Sequence, residues 1–354
     1  MLVATRIFLI CLFVVSVLGA REHNPLHPMK PAYFASRKGF GCTADFCTNL
    51  TWIKDPSFMT DFFLHHPQFL KSSERETSTY DETLLEYLVF HAKNGDILWI
   101  EESKVPAFFK KMAPKMNKEL ILITTGDPTF PSGYDLSSEE IDSALESGAV
   151  IHIFAQNNNY QGRYKEKVSY LPIGLDYSRP LLSDGFPTAQ EDVMKKILSR
   201  LHKTTDRPVR PFCDFALNNN GGDRFNAAKI LAQNDVADFL DQFIDRTLLW
   251  KIKGSRAFDI SPSGAGQDCY RTWEALTLGC IVILKTSFLD PLYEGLPVVI
   301  VNDWSDITEE NLHKWLLEYG DVFHNSQMRE RLTYKYWMDQ IRHIQRSYKT
   351  TSLN

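Results

Sequence analysis

The strongest constraint on this chain is the alternation of short, fully apolar runs with stretches of helical periodicity. Ile97-Leu98-Trp99-Ile100, Leu120-Ile121-Leu122-Ile123-Thr124 and Ala149-Val150-Ile151-His152-Ile153-Phe154 each have the length of a strand and almost no polar residue. Strands apolar on both faces belong to a sheet covered on both sides, which is the parallel kind. Helical patterns precede or separate them: Glu82 to Phe90, Ala107 to Met116, and Ser137 to Glu146, where Ser137 is placed to cap with Glu140 three positions on. The stretch Leu171 to Pro180, with a Gly and two prolines, breaks the pattern. A second alternating unit follows, with strands expected at Phe212 to Leu217, Ala257 to Ile260, Ile281 to Lys285 and Pro297 to Val301. Its helices are expected at Ala189 to Leu201, Arg224 to Ala232, Val236 to Phe243, Tyr270 to Leu278 and Thr308 to Tyr319. The fold class is therefore α/β, with one unit over 21–175 and another over 176–354.

The first twenty residues read as a leader. Arg6 precedes an apolar run from Ile7 to the small residues Gly19 and Ala20, shorter than the roughly 20 residues a membrane span needs. A cleaved secretory signal over 1–20 is expected, with a membrane attachment only if it stays uncleaved. The location implied is the lumen of the secretory pathway, endoplasmic reticulum or Golgi, or the exterior. The 354 residues exceed what one core usually organises and suit two domains of roughly 150 residues. The net charge is −5, close to balance, and Lys and Arg are scattered rather than striped, which argues against a nucleic-acid partner. Of six cysteines, Cys42 and Cys47 are close enough to close a small loop in an oxidising lumen, whereas Cys269 and Cys280 sit in apolar surroundings that also suit buried thiols. Asn49-Leu50-Thr51 is a glycosylation sequon.

The chemistry concentrates between Ala257 and Lys285: strand, glycine loop, helix, Gly279 stop, strand. Gly264 and Gly266 in the loop Ser261-Pro262-Ser263-Gly264-Ala265-Gly266 let backbone approach a neighbour closely or take positive φ, and the N–H groups of the next helix face the same space. Such a loop suits a diphosphate. Arg271 and Glu274, three apart on that helix, share a face, where a guanidinium neutralises phosphate and a carboxylate accepts from ribose hydroxyls. The alternative is an ordinary ion pair between them. Arg224, after the polar loop Asn218 to Asp223, is a second phosphate candidate, equally readable as a turn residue.

Ser261-Pro262, Gly264, Gly266, Asp268-Cys269, Arg271-Thr272-Trp273-Glu274-Ala275, Leu278-Gly279-Cys280-Ile281 and Leu289-Asp290-Pro291-Leu292-Tyr293 resemble the signature of exostosin-like glycosyltransferases. Leu296 to Val301 and Asp303 to Thr308 continue it, and Ile153 to Asn157 and Leu171 to Asp176 are similar to earlier segments of that family. The resemblance implies a GT-B architecture, two Rossmann-like domains facing a cleft. It also implies inverting transfer of a sugar from a nucleotide-sugar donor, UDP-linked, to a glycan acceptor, with Arg271 on the diphosphate, Glu274 as a ribose or donor contact and the Ser261 to Gly266 loop as cradle. Two positions depart from the family pattern: Tyr270 stands where many relatives carry His, and Val282 where Pro is frequent. The first puts the choice of sugar in doubt.

No Asp-x-Asp triplet or spaced Cys/His set occurs, so neither a metal nor another cofactor is expected. Transfer to a hydroxyl needs a base. Asp127, in the loop after the strand Leu120 to Thr124, is the candidate, with a turn carboxylate before Pro128 as the bland alternative. Gln156 and Asn157, past the next strand, are candidates for sugar hydroxyls. His152 reads as a core residue, and His65-His66 is assigned no chemistry. A homo- or hetero-oligomer is compatible with the sequence. The rival function is a catalytically inactive glycan-binding or chaperone-like lumenal protein of the same fold. A nicotinamide oxidoreductase fares worse, because no G-x-G-x-x-G follows an early strand with an acid about twenty residues later.

Overall fold

The computed structural model describes residues 62–64, 92–100, 102–176, 187–217, 223–240, 242 and 244–351. The expected leader, the Cys42 and Cys47 pair, the sequon, His65-His66, the helix over Glu82 to Phe90 and the Asn218 to Gly222 loop lie outside these residues.

Among the described residues ten strands form two parallel sheets of five. The first runs β1 (Phe62–Leu64), β2 (Ile97–Ile100), β3 (Leu120–Thr124), β4 (Val150–Ala155) and β5 (Val168–Tyr170), neighbours in space as in sequence. The second contains β6 (Phe212–Cys213), β7 (Asp238–Phe239), β8 (Phe258–Ile260), β9 (Ile281–Lys285) and β10 (Val298–Val301), in the spatial order β7-β6-β8-β9-β10. Period-two alternation divides each buried strand between two cores. Ile97 and Trp99 face one cluster and Leu98 and Ile100 the other, while Val282 and Leu284 face away from Ile281 and Ile283. The cluster holding Ile97, Trp99, Val282 and Leu284 is shared by both sheets and joins the two units. These are two Rossmann-like α/β units.

Among the described residues the α-helices of six residues or more are, in chain order, α1 (Ser138–Glu146), α2 (Pro187–Leu198), α3 (Arg224–Gln233), α4 (Arg246–Gly254), α5 (Tyr270–Thr277), α6 (Glu309–Tyr319), α7 (Ser326–Arg331) and α8 (Tyr334–Thr351). Ser137 caps α1 in a full capping box with Glu140. Thr308 caps α6 by accepting from the Asn311 N–H. Gly279 takes φ +78° behind α5, the left-handed stop that a side chain disfavours.

Two expectations are corrected. The helix expected over Val236 to Phe243 does not form at the described residues 236–240: Asp238–Phe239 adds edge strand β7 to β6, pinned by Arg210 and Arg256 on Asp238. A short apolar run at a sheet edge carries no periodicity that separates helix from strand. The stretch expected as a helix from Ala107 to Met116 is a mixed 3-10, α and π segment over 102–115. The sequence also gives no hint that α8, at the end of the 176–354 unit, returns to the first sheet. Trp337 and Ile341 join the core containing Ile97 and Trp99, Gln345 Nε2 donates to Gly95 O at 2.7 Å, and the Tyr348 hydroxyl bonds Glu119.

Candidate functional site

The strand order of the second sheet places a topological switch between β6 and β8, since the chain leaves β6 toward β7 on one side and later builds β8, β9 and β10 on the other. In open parallel sheets the crevice beyond the carboxyl ends at such a point is where ligands bind. Here those ends carry Asp214 after β6, Ser261 to Ser263 after β8 and Lys285 closing β9. A cavity of about 420 Å³ opens there, walled by Asp223, Ser261, Ser263, Gln267, Lys285, Thr286, Ser287 and Trp304 among others.

The carboxyl ends of the first sheet meet the same loop. Gln156 Oε1 accepts from Gly126 N at 3.1 Å, and Asn157 Nδ2 donates to Gly126 O at 2.9 Å, so the loop after β4 grips the loop after β3. Asn157 Oδ1 then accepts from Asp268 N at 2.8 Å, reaching across to the second unit. A Cβ on Gly266 would stand 3.1 Å from Asp127 O and 2.9 Å from Asn157 Nδ2. The two sheets thus face each other through their carboxyl-end loops, with Asp127 exposed beside the contact.

Asp268 seals this junction. Its carboxylate accepts from Ile173 N at 2.8 Å, Cys269 N at 2.9 Å, Trp273 Nε1 and, at 3.0 Å, the Tyr293 hydroxyl. Four donors favour the anion, yet burial outweighs them and raises its pKa to about 6.

Behind the cavity wall lies a buried charge network. Arg271 Nε is 2.9 Å from Asp214 Oδ1, and its Nη1 donates to Ser261 Oγ and Pro262 O, each at 3.2 Å. Lys253 Nζ, fully buried, lies 3.0 Å from Asp214, 3.5 Å from Asp259 and 4.0 Å from Glu274. Glu274 Oε1 also takes Arg246 Nη2 at 2.6 Å. Both Asp259 oxygens lack an aligned hydrogen bond. Burial pushes that carboxyl up to about 8 despite the nearby ammonium, while Asp214, beside Lys253 and Arg271, ends below the usual carboxylate range although burial opposes it.

This geometry gives each expected site residue its protein partners. Arg271 and Glu274 share a face of α5 as their spacing requires, but neither lines the cavity. The guanidinium pairs with Asp214 through Nε and with the loop through Nη1, and the carboxylate pairs with Arg246 and Lys253, so both already carry ion pairs within the protein. Arg224 is buried too, donating to Ser263 O at 2.9 Å and Ala216 O at 3.1 Å. It braces the cradle from behind. Gly264 and Gly266 serve close approach, but of protein: a Cβ on Gly264 would meet Arg224 Nη2 at 2.4 Å. Gln156 and Asn157 bond through their amides to Gly126, Pro172 and Asp268, and so hold the loop that carries Asp127. Ser261 does reach the cavity. His152 is buried against Ser169 at 2.8 Å, and burial lowers its pKa to about 4. Cys213, Cys269 and Cys280 are free thiols.

The residue that sequence reasoning missed is Lys285. It lines the cavity, with its Nζ 2.8 Å from Asp223 Oδ2, an oxygen that also accepts from Trp304 Nε1. The hydrogen bond to Asp223 holds the ammonium above the usual lysine range. A cation ending an otherwise apolar buried strand was the available signal.

No family model and no curated protein matches this chain. Solved structures similar to it include one described as trehalose-6-phosphate from E. coli bound with UDP-2-fluoro glucose, at 14% identity over 76% of this chain and 75% of that chain, TM-score 0.39. Another is a UDP-forming trehalose-phosphate synthase from Burkholderia xenovorans, at 14% identity over 78% and 82%, TM-score 0.45. A third, from Burkholderia vietnamiensis, shares 11% identity over 77% of each chain, TM-score 0.45.

Proposed function

We propose that this chain is a nucleotide-sugar glycosyltransferase of the exostosin-like kind, with its donor in the cavity between Ser261 and Lys285. The observation that carries the proposal is the cavity's place and chemistry: a hydroxyl-rich pocket with a lysine, beyond the strand ends at a topological switch, next to an exposed carboxylate from the opposing sheet. The hydroxyls of Ser261, Ser263, Thr286 and Ser287 suit phosphate oxygens, and Lys285 suits the charge that builds on a departing diphosphate. Asp127 takes the proton of the acceptor hydroxyl as general base. Attack from the face opposite the diphosphate inverts the anomeric centre. The acceptor is a glycan in the secretory lumen, and the protein works without a metal or other cofactor.

The test is a panel of nucleotide sugars on purified protein, read by thermal shift and by release of nucleoside diphosphate, with the product anomer assigned by NMR. UDP-linked donors should stabilise the protein and turn over in chelator. Loss of turnover in EDTA would overturn the metal-free reading, and retention in the product would overturn inversion. Stabilisation without any turnover would favour the inactive lumenal binder, a reading to which the ion-paired state of Arg271 and Glu274 lends support.

A further inference from the structure

A second cavity, of about 760 Å³, lies at the other end of α5, where Leu276, Thr277 and Gly279 meet α7 and the segment after α2. Its wall carries Lys195, Lys203, Arg207 and Arg329 against one carboxylate, Glu330. Lys195 is paired with Glu191 at 2.8 Å, whereas Lys203, Arg207 and Arg329 have no ion-pair partner among the described residues.

Arg207 is the telling member. It is only 8% exposed, and a buried guanidinium ordinarily has a counter-ion. Its Nε donates to His202 O at 2.9 Å and its Nη1 to Leu278 O at 3.0 Å and Gly279 O at 3.1 Å, carbonyls at the negative end of α5. That accounts for the Nε and Nη1 side of the fork. Nη2 has no acceptor among the described residues, and it stands where a Cβ on Gly279 would come within 3.0 Å of it. Two donors of a nine-tenths buried cation are therefore left at a cavity that Arg207 and Gly279 both line, with Lys203 and Arg329 beside them.

We infer that this cavity is a binding site for an oxyanion ester, a phosphate or sulfate carried on a small sugar-sized molecule, with Arg207 Nη2 as the buried anchor and Lys203 and Arg329 as outer cations. A guanidinium edge flanked by two exposed cations matches the tetrahedral oxygens that phosphate and sulfate share. The site is separate from the Lys285 cavity, and the inference does not depend on the glycosyltransferase reading.

The test is calorimetric titration at low ionic strength with two probes, a hexose phosphate and a sulfated disaccharide, in a Lys285→Ala background that weakens the front cavity. Lys203→Ala with Arg329→Ala, both exposed positions, should weaken binding by about tenfold or more. Glu330→Lys, which adds a cation to the same wall, should strengthen it. Binding of one probe alone would identify the ester. Affinity that is indifferent to all three substitutions, or no binding of either probe, would overturn the site. If UDP binds nowhere while these effects persist, the donor reading fails and this one stands.

Discussion

Lys285 Nζ lies 2.8 Å from Asp223 Oδ2, which makes the lysine in the front cavity one half of an ion pair before any ligand arrives. The pair is partly solvated, with side chains 35% and 28% exposed, so parting it costs little. A diphosphate offers the ammonium more acceptors than one carboxylate. Lys285→Ala should therefore weaken UDP binding about ten- to hundredfold, the worth of a charge-assisted hydrogen bond. Asp223→Asn, which frees the ammonium, should leave binding equal or tighter. An unchanged UDP affinity in Lys285→Ala, measured by calorimetry, would remove this lysine from the site.

Arg271 behaves by its contacts as a structural cation. Removing it leaves Asp214, 5% exposed, with Lys253 as its remaining partner, and breaking a buried pair from one side costs about 3–5 kcal/mol. Arg271→Ala should lower stability by that order in denaturant unfolding. Asp214→Asn combined with it should recover part of the loss, because the uncompensated charge then disappears. A variant of wild-type stability that no longer binds UDP would return Arg271 to the role its spacing first implied.

What could be read in advance follows physical lines. Strands β3 and β9 were legible because both faces are buried, so composition alone marks them. β7 was not, being two residues at an edge with Phe239 exposed. Helix α4 hid because Asp245, which caps it, precedes a segment whose buried face includes Lys253, a residue that reads as surface. In the site, spacing correctly put Arg271 and Glu274 on one face. It could not show that Asp214, Arg246 and Lys253 stand opposite, because those partners come from other elements. The glycines of the loop announced a close approach but not what approaches. The pairing of Lys285 with Asp223 spans more than sixty positions and leaves no local trace.

Asp268 predicts a pH signature. Its folded pKa of about 6 exceeds the 3.8 of an unperturbed aspartate, so the folded state holds this proton more tightly than the unfolded chain. The stability so gained is fully present below about pH 4 and is lost as pH rises through about 6, with a total near 3 kcal/mol from this group. Asp214 acts in the opposite sense and only in acid: its lowered pKa costs stability as pH falls below the ordinary aspartate range. Asp268→Asn should flatten the slope of stability between about pH 4 and 6 relative to wild type, whatever it does to the absolute value. An unaltered slope in urea titrations across that window would mean that other groups generate it.

The last helix ties the chain's end to its first described sheet, and one side chain tests how much that matters. Ile341 is fully buried in the core that holds Ile97, Trp99 and Trp337, on the face of α8 that also presents Gln345 to Gly95. Ile341→Ala removes three buried carbons and leaves a cavity, a change worth about 2–5 kcal/mol. The loss should not spread evenly. Without that anchor α8 opens before the sheets do, so hydrogen exchange should quicken in α8 and around Gly95 while β8 and β9 keep their protection. Exchange that quickens equally in both sheets would show that α8 is part of a single cooperative unit, and that the shared core between the sheets, rather than the helix, carries the coupling.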